Sequence, residues 1–228
     1  MTMPFYVPPE QLMQDRAEFA RKGIAKGRSI LAIEYDTGIL IVAENPSRAL
    51  NKIGEVYDKI AFAGVGKYNE FESLRVAGIR HADVKGFNYG REDVNAKGLA
   101  NAYAQTLGTV FTNQPKPYEI ELLIAEVGKE PDDNRLFRIR YDGTLGDERD
   151  FCAIGGQEEE LTEVLRDRYE AGLSLDAAIA MAIGAFEAVE ERTIPSHEWE
   201  AAVVDRGNGR RSFRRLSADE IETARSKS

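Results

Sequence analysis

The stretch "KGRSILAIEYDTGILIVAEN", Lys26 to Asn45, sets two near-continuous apolar runs on either side of Asp36-Thr37-Gly38. It reads as a buried β-hairpin, closed by a compact turn in which the glycine can supply a positive φ angle. Both arms are too apolar for a sheet that shows one face to water, so they are expected to be covered on both sides. Twenty-seven residues precede Arg28, at the head of the first arm. Why a chain should place an extension in front of such a hairpin is the question the rest of the sequence has to answer.

At 228 residues the chain is long enough to bury one substantial core. Hydrophobic residues make up 43% and charged residues 30%, a composition that predicts a globular protein needing neither metal nor disulfide to fold. The single Cys152, in the apolar run "DFCAIGG", is expected to be a structural thiol. The N-terminus lacks the basic start and apolar block of a signal peptide and no run of about 18 apolar residues occurs, so a cytoplasmic protein without membrane contact is expected. A formal net charge of −9 repels a phosphate backbone and argues against nucleic-acid partners. The local exception, "RGNGRRSFRR" with Arg206, Arg210, Arg211, Arg214 and Arg215, reads as an exposed edge hairpin turning at Gly207-Asn208-Gly209.

Residues 1–9 are proline-rich and aperiodic, which predicts a mobile segment. Leu12, Met13, Ala17, Phe19 and Ala20 alternate with charges, giving a short amphipathic helix over about 10–22 that Gly23 can end. After the hairpin, "ALNKIGEVYDKIAFAGVG" holds a strand pair. Helices are then expected at about 68–81 and 92–111, strands in "YEIELLIAEVG" and "RLFRIRYDGT", helices at about 158–171 and 175–190, and strands in "EWEAAVVDR" and "RSFRRLS". A short charged helix closes the chain, in a tail at 217–228. Strands joined by tight turns and helices arriving in pairs imply an α+β fold: a four-layer α/β/β/α sandwich of two antiparallel sheets. A doubly wound parallel sheet would alternate single helices with strands.

Catalytic chemistry is sparse. His81 and His197 are the two histidines, placed at a helix end and in a turn, and neither stands in a nucleophile context. "GVGK", Gly64 to Lys67, lacks the rest of a phosphate loop and reads as a tight strand-to-helix turn. Glu158, Glu159 and Glu160 begin a helix, where negative charge suits the dipole. No spacing suggests a metal site or a cofactor.

The blocks "ARKGIAKGRS", "DTGILIVAENPS", "KIGEVYDKIAFAGVGKYNEFE", "LANAYAQTLGTVFT" and "QPKPYEIELLIAEVG", in this order, resemble the proteasome α subunits of actinobacteria. The resemblance covers about residues 4–216 and implies the fold of the N-terminal nucleophile hydrolases. In the sister β subunits a processed threonine heads the first strand, and its own amino group helps activate its hydroxyl. Arg28 stands at that position here, while Glu44 and Lys52 match a carboxylate and a lysine that support the site. Removal of Met1 would expose Thr2, but in a flexible arm with nothing to orient it.

The resemblance implies a non-catalytic subunit without a cofactor. It would form homo-heptameric outer rings on β rings in an α7β7β7α7 particle, gate the entry of unfolded or Pup-tagged proteins and dock a hexameric ATPase activator. Residue by residue, Arg21, Lys52 and Gly64 match the activator-docking pocket between neighbouring α subunits. Phe5, Tyr6, Val7, Pro8 and Pro9 match the gate, with Pro9 at its reverse turn, and Thr112, Asn113, Gln114 and Pro115 match the pore constriction. The Tyr-Asp-Arg gate motif of archaeal and eukaryotic α chains is absent from residues 1–9. Two alternatives stand beside this reading: a catalytically active N-terminal nucleophile hydrolase, cutting itself before Ser29 or acting through Thr2, and an isolated small-molecule-binding sandwich.

Overall fold

The alternation of apolar side chains along the central strands dictates the layers. The computed structural model describes residues 8–47, 49–209 and 211–227. Helix α1 (Pro9–Ile24) leads into strands β1 (Ile30–Tyr35) and β2 (Gly38–Glu44), then β3 (Ile53–Tyr57) and β4 (Ile60–Gly66). Helices α2 (Tyr68–Asn88) and α3 (Ala96–Asn113) follow, and after them β5 (Ile120–Glu126), β6 (Arg135–Ile139), β7 (Leu145–Glu148) and β8 (Phe151–Ile154). The chain continues through α4 (Glu158–Arg168), α5 (Leu175–Glu190), β9 (Trp199–Asp205), β10 (Phe213–Arg215) and α6 (Ala218–Ser226).

Two five-stranded sheets result, ordered β10-β9-β2-β1-β8 and β3-β4-β5-β6-β7, and every pairing is antiparallel. On β1 and β2, Ile30, Ala32, Ile39, Ile41 and Ala43 point into the layer between the sheets, where they meet Ala61, Ala63 and Val65 of β4 and Leu123 and Ala125 of β5. The intervening Leu31, Ile33, Leu40 and Val42 face α4, α5 and α6. On the second sheet Ile60, Phe62, Leu122 and Ile124 face α2 and α3. The four-layer sandwich of two antiparallel sheets is therefore the observed fold. Between the sheets, alanines such as Ala32, Ala43, Ala61 and Ala63 are interleaved with larger residues such as Ile30, Ile39, Ile41 and Leu123, each of the larger side chains worth about 1.5–3 kcal/mol when buried.

Helix α1 belongs to neither helical layer. It touches β4 and β5, and its Ala20 and Ile24 enter the layer between the sheets. It starts one residue earlier than expected, because Pro9 is well suited to the first helical turn, and it runs through Gly23 to Ile24. Helix α2 extends past His81 to Asn88, so His81 lies inside the helix, and α3 starts at Ala96, with Asn95 accepting the Gly98 N–H as its cap. Strands β7 and β8, consecutive in the chain but on the edges of different sheets, have no counterpart in the expected elements.

The arginine-rich hairpin β9–β10 does lie at a sheet edge, yet its arginines are engaged. Arg211 pairs with Glu55 on β3, and Arg215 bonds Glu200 and the Ile53 carbonyl. Arg206 bonds Asn134 and the carbonyls of Asp36 and Gly128. These contacts tie one sheet to the other and use the charge internally; Arg210 lies outside the described residues.

Two glycines matter for different reasons. Gly38 does not have a positive φ; the turn closes without it, and its role is space, since a β-carbon there would collide with the Val204 carbonyl of β9. Gly66, in "GVGK", does adopt φ +104°, and it turns β4 into α2. Gly38→Ala should therefore lower the unfolding free energy by about 2–4 kcal/mol through enforced separation of β2 and β9. Urea denaturation of the purified chain measures this, and an unchanged midpoint would show that β9 yields without cost.

Candidate functional site

The head of β1 is built around a buried carboxylate. Glu44 ends β2 with 2% of its surface exposed, and it ion-pairs with Arg28. Arg192, beyond α5, donates a second bond to the same Glu44 oxygen at 2.5 Å. The Arg28 carbonyl accepts Lys52 Nζ at 2.8 Å, and the adjacent Ser29 hydroxyl accepts the Gln157 N–H at 3.1 Å. Two guanidinium groups and an ammonium thus occupy the position at which residue 28 would have to present a nucleophile. The nitrogen of Arg28 is a peptide nitrogen, so it cannot act as the free amine that activates a terminal hydroxyl. His81 and His197 are exposed, and among the described residues no cluster of acidic, histidine or cysteine side chains is arranged to hold a metal.

A second carboxylate fixes the segment that carries Lys52. Glu200, on β9, accepts the backbone N–H groups of Lys52 at 2.9 Å and Ile53 at 3.0 Å, the Asn45 amide at 2.6 Å and Arg215 at 3.0 Å. Lys52 is pulled down to a pKa of about 8, chiefly by burial, with Glu200 opposing the shift and Arg28 adding to it. The Lys52 carbonyl accepts the Gly64 N–H at 3.1 Å, so these two positions are neighbours. Gly64 is buried in β4 with the Phe71 ring against it.

Arg21 stands elsewhere, at the end of α1 with its guanidinium 6.0 Å from the centre of the Tyr141 ring. It borders a cavity of about 510 Å³ that is also lined by Glu121, Arg138, Arg140 and Glu158. Arg138 donates to Glu121 at 2.5 Å and pairs with Glu158. Burial pushes the Glu121 carboxyl upward, against the pull of Arg138.

A model of the family described as "Proteasome subunit" matches residues 24–204. The chain belongs to the proteasome subunit family. It is 55% identical over 223 residues to the protein named proteasome subunit alpha of Thermomonospora curvata, covering 97% of both chains. It is 57% identical to the proteasome subunit alpha of Xylanimonas cellulosilytica, over 95% of this chain and 93% of that one. With the proteasome subunit alpha of an Arthrobacter species it shares 53% identity over 100% and 99% of the two chains.

For a proteasome-family chain of the α type, the residues singled out by sequence fall into three places. Arg28, Glu44, Lys52 and Gly64 come together at the head of β1, whereas Arg21 lies beside Tyr141. Thr112 and Asn113 close α3, with Gln114 as its cap and Pro115 exposed behind it. Pro8 precedes α1 and Pro9 is its first residue, while Thr2, Phe5, Tyr6 and Val7 lie outside the described residues. Sequence reasoning missed Arg192 and Glu200. For Glu200 a signal existed, since a carboxylate inside "WEAAVVD" must meet partners to be buried in a central strand. Arg192 lies 148 positions from Glu44 and has no such local signature.

The Lys52 environment is directly measurable. Its ε-carbon resonance should titrate near pH 8, well below an ordinary lysine, and should move upward in Arg28→Ala, which removes a repelling charge. Because the folded value lies below the unfolded one, the unfolded chain binds more protons between about pH 8 and 10.5. Stability contributed through this group must therefore rise with pH across that window and stay flat below it. A midpoint of an ordinary lysine would remove the argument.

Proposed function

We propose that the chain is a non-catalytic ring and gate subunit of a proteasome core particle. Seven copies form each outer ring, cap the β rings of an α7β7β7α7 barrel and control the entry of unfolded or Pup-tagged proteins in the cytoplasm. The observation that carries this reading is the head of β1. Arg28 is internal to the chain, ion-paired to a buried carboxylate and preceded by a helix wedged between the sheets. A hydroxyl nucleophile has no place there, and Thr2 is 26 positions upstream of it.

The N-terminal half of α1 supports assembly. Leu12 and Phe19 remain 41% and 46% exposed, which is apolar surface a neighbouring copy would cover. A closed ring needs a heterologous interface, in which one patch meets a different patch on the next copy. In that arrangement Arg21 of one copy and the Lys52–Gly64 pair of the next would line one cleft, and Lys52 would bind the terminal carboxylate of an ATPase activator tail. Phe5, Tyr6, Val7, Pro8 and Pro9 would form the gate, and residues 112–115 the constriction behind it.

Deleting residues 2–8 in the particle assembled with its β partner tests the gate. Peptide hydrolysis should rise several-fold, and unfolded protein should gain more than tripeptides, because it needs the wider opening. A fully assembled particle that degrades both classes no faster than the parent would refute the gate.

Docking can be tested separately. Losing one charge-assisted contact costs about 1.5–3 kcal/mol, so Lys52→Ala should raise the activator-tail peptide concentration for half-maximal stimulation by about tenfold or more. Stimulation of the unmodified particle should weaken as pH rises above about 8, where Lys52 loses its charge. A pH-independent response to the peptide would place the carboxylate elsewhere.

A further inference from the structure

Helix α1 meets the segment 111–119 along one face, at positions 16, 19 and 23, a spacing of three and four residues. Arg16 Nη1 donates to the Phe111 carbonyl at 2.6 Å and to the Thr112 carbonyl at 3.0 Å. Both carbonyls belong to the last turn of α3, where helix carbonyls lack N–H donors of their own helix and the negative end of the dipole lies. Past the constriction segment, Lys116 Nζ lies 5.7 Å from the centre of the Phe19 ring. Lys116 is held there by Glu70 at 2.7 Å and Glu119 at 3.0 Å. At Gly23 the helix comes so close that a β-carbon would collide with the Glu119 side chain. A further link runs from Arg21 over Tyr141 to Phe111, the two rings lying 5.7 Å apart.

The exposed residues Thr112, Asn113, Gln114 and Pro115 therefore sit between two contacts with the same helix: the first two end α3, and the Gln114 N–H bonds the Val110 carbonyl at 3.0 Å. We propose that α1 is the frame that positions residues 112–115 and thereby sets passage through them, with Arg16 and Phe19 as positioning residues on the two flanks. A tilt of the N-terminal turns of α1 then moves the 112–115 loop through Arg16 and Phe19. This proposal rests on the reading of 112–115 as the pore constriction.

The test uses the full chain assembled with its β partner and reads hydrogen exchange over residues 110–116 together with hydrolysis. Arg16→Gln should accelerate exchange there by about tenfold, the scale of losing one charge-assisted hydrogen bond, and Arg16→Lys should restore part of the protection. In the particle lacking residues 2–8, Arg16→Gln should also change the ratio of unfolded-protein to tripeptide hydrolysis by about twofold or more. Phe19→Leu should act in the same direction from the other flank, and it serves alone if Arg16→Gln does not assemble. Unchanged exchange over 110–116 would overturn the proposal, and so would faster exchange with an unchanged ratio. Failure of the gating reading is separate, since it shows as no gain on deleting residues 2–8 from the chain that keeps Arg16.

Discussion

The layer between the two sheets takes in Ala20 and Ile24 of α1, which pack there among the alanines and branched aliphatic side chains of the strands. Ala32, Ala43, Ala61, Ala63, Ala125 and Ala202 line the layer, with Ile30, Val65 and Ile154 at the end where the helix enters. Removing α1 would expose this apolar end to water at roughly 25 cal/mol per Å². The plug also constrains the chain that leaves it. Gly27 crosses against Val65, and the Gly27 N–H bonds the Ile24 carbonyl at 2.8 Å. With the helix seated, residue 28 cannot be a chain terminus. The extension in front of the hairpin and the lack of a nucleophile at its head are one constraint, because the same covalent connection that seats the plug locks the nitrogen of Arg28 in a peptide bond.

Charge completes what the backbone begins. A buried carboxylate without partners would be costly, and Glu44 meets two guanidinium groups on one of its oxygens. Lys52, whose ammonium bonds the Arg28 carbonyl, sits beside like charge and under a desolvation penalty. A site of this kind is poised to take an anion from outside, since an arriving carboxylate would relieve both the repulsion and the lost hydration.

The strands with near-continuous apolar runs were legible from sequence: along β1, β2, β4 and β9 the two side-chain sets separate into two cores, one on each face of the sheet. Where the pattern weakens, legibility ends. The crossing from β7 to β8, which leads from one sheet to the other, carries "GDERD", and Asp150 adopts φ +68° in it, a conformation no glycine announces. Helix α2 continues past His81 with Val84 and Phe87 exposed, so the apolar spacing that marks a packed face is lost there. The sequence points to Gly38 for a positive φ that it does not adopt, whereas the crowding that needs a glycine there comes from β9, 161 positions later in the chain. The neighbourhood of Arg28 was reached through family resemblance alone, because Glu44, Lys52 and Arg192 are brought to it by three separate elements.

A helix that both plugs the sandwich and grips the α3 terminus cannot move as a whole. Its last two turns hold Ala20 and Ile24 fully within the core, so displacing them costs apolar burial, while the turns from Pro9 to Phe19 are mostly exposed. Motion within one chain is therefore confined to the N-terminal half, pivoting near Ala20. Arg16 and Phe19 lie just on the moving side of that pivot, which gives them a short lever over residues 112–115, whereas Pro8 lies at its far end. A small rotation at the core would thereby reach the α3 loop through the short arm, at Arg16 and Phe19, while Pro8 stands on the long one.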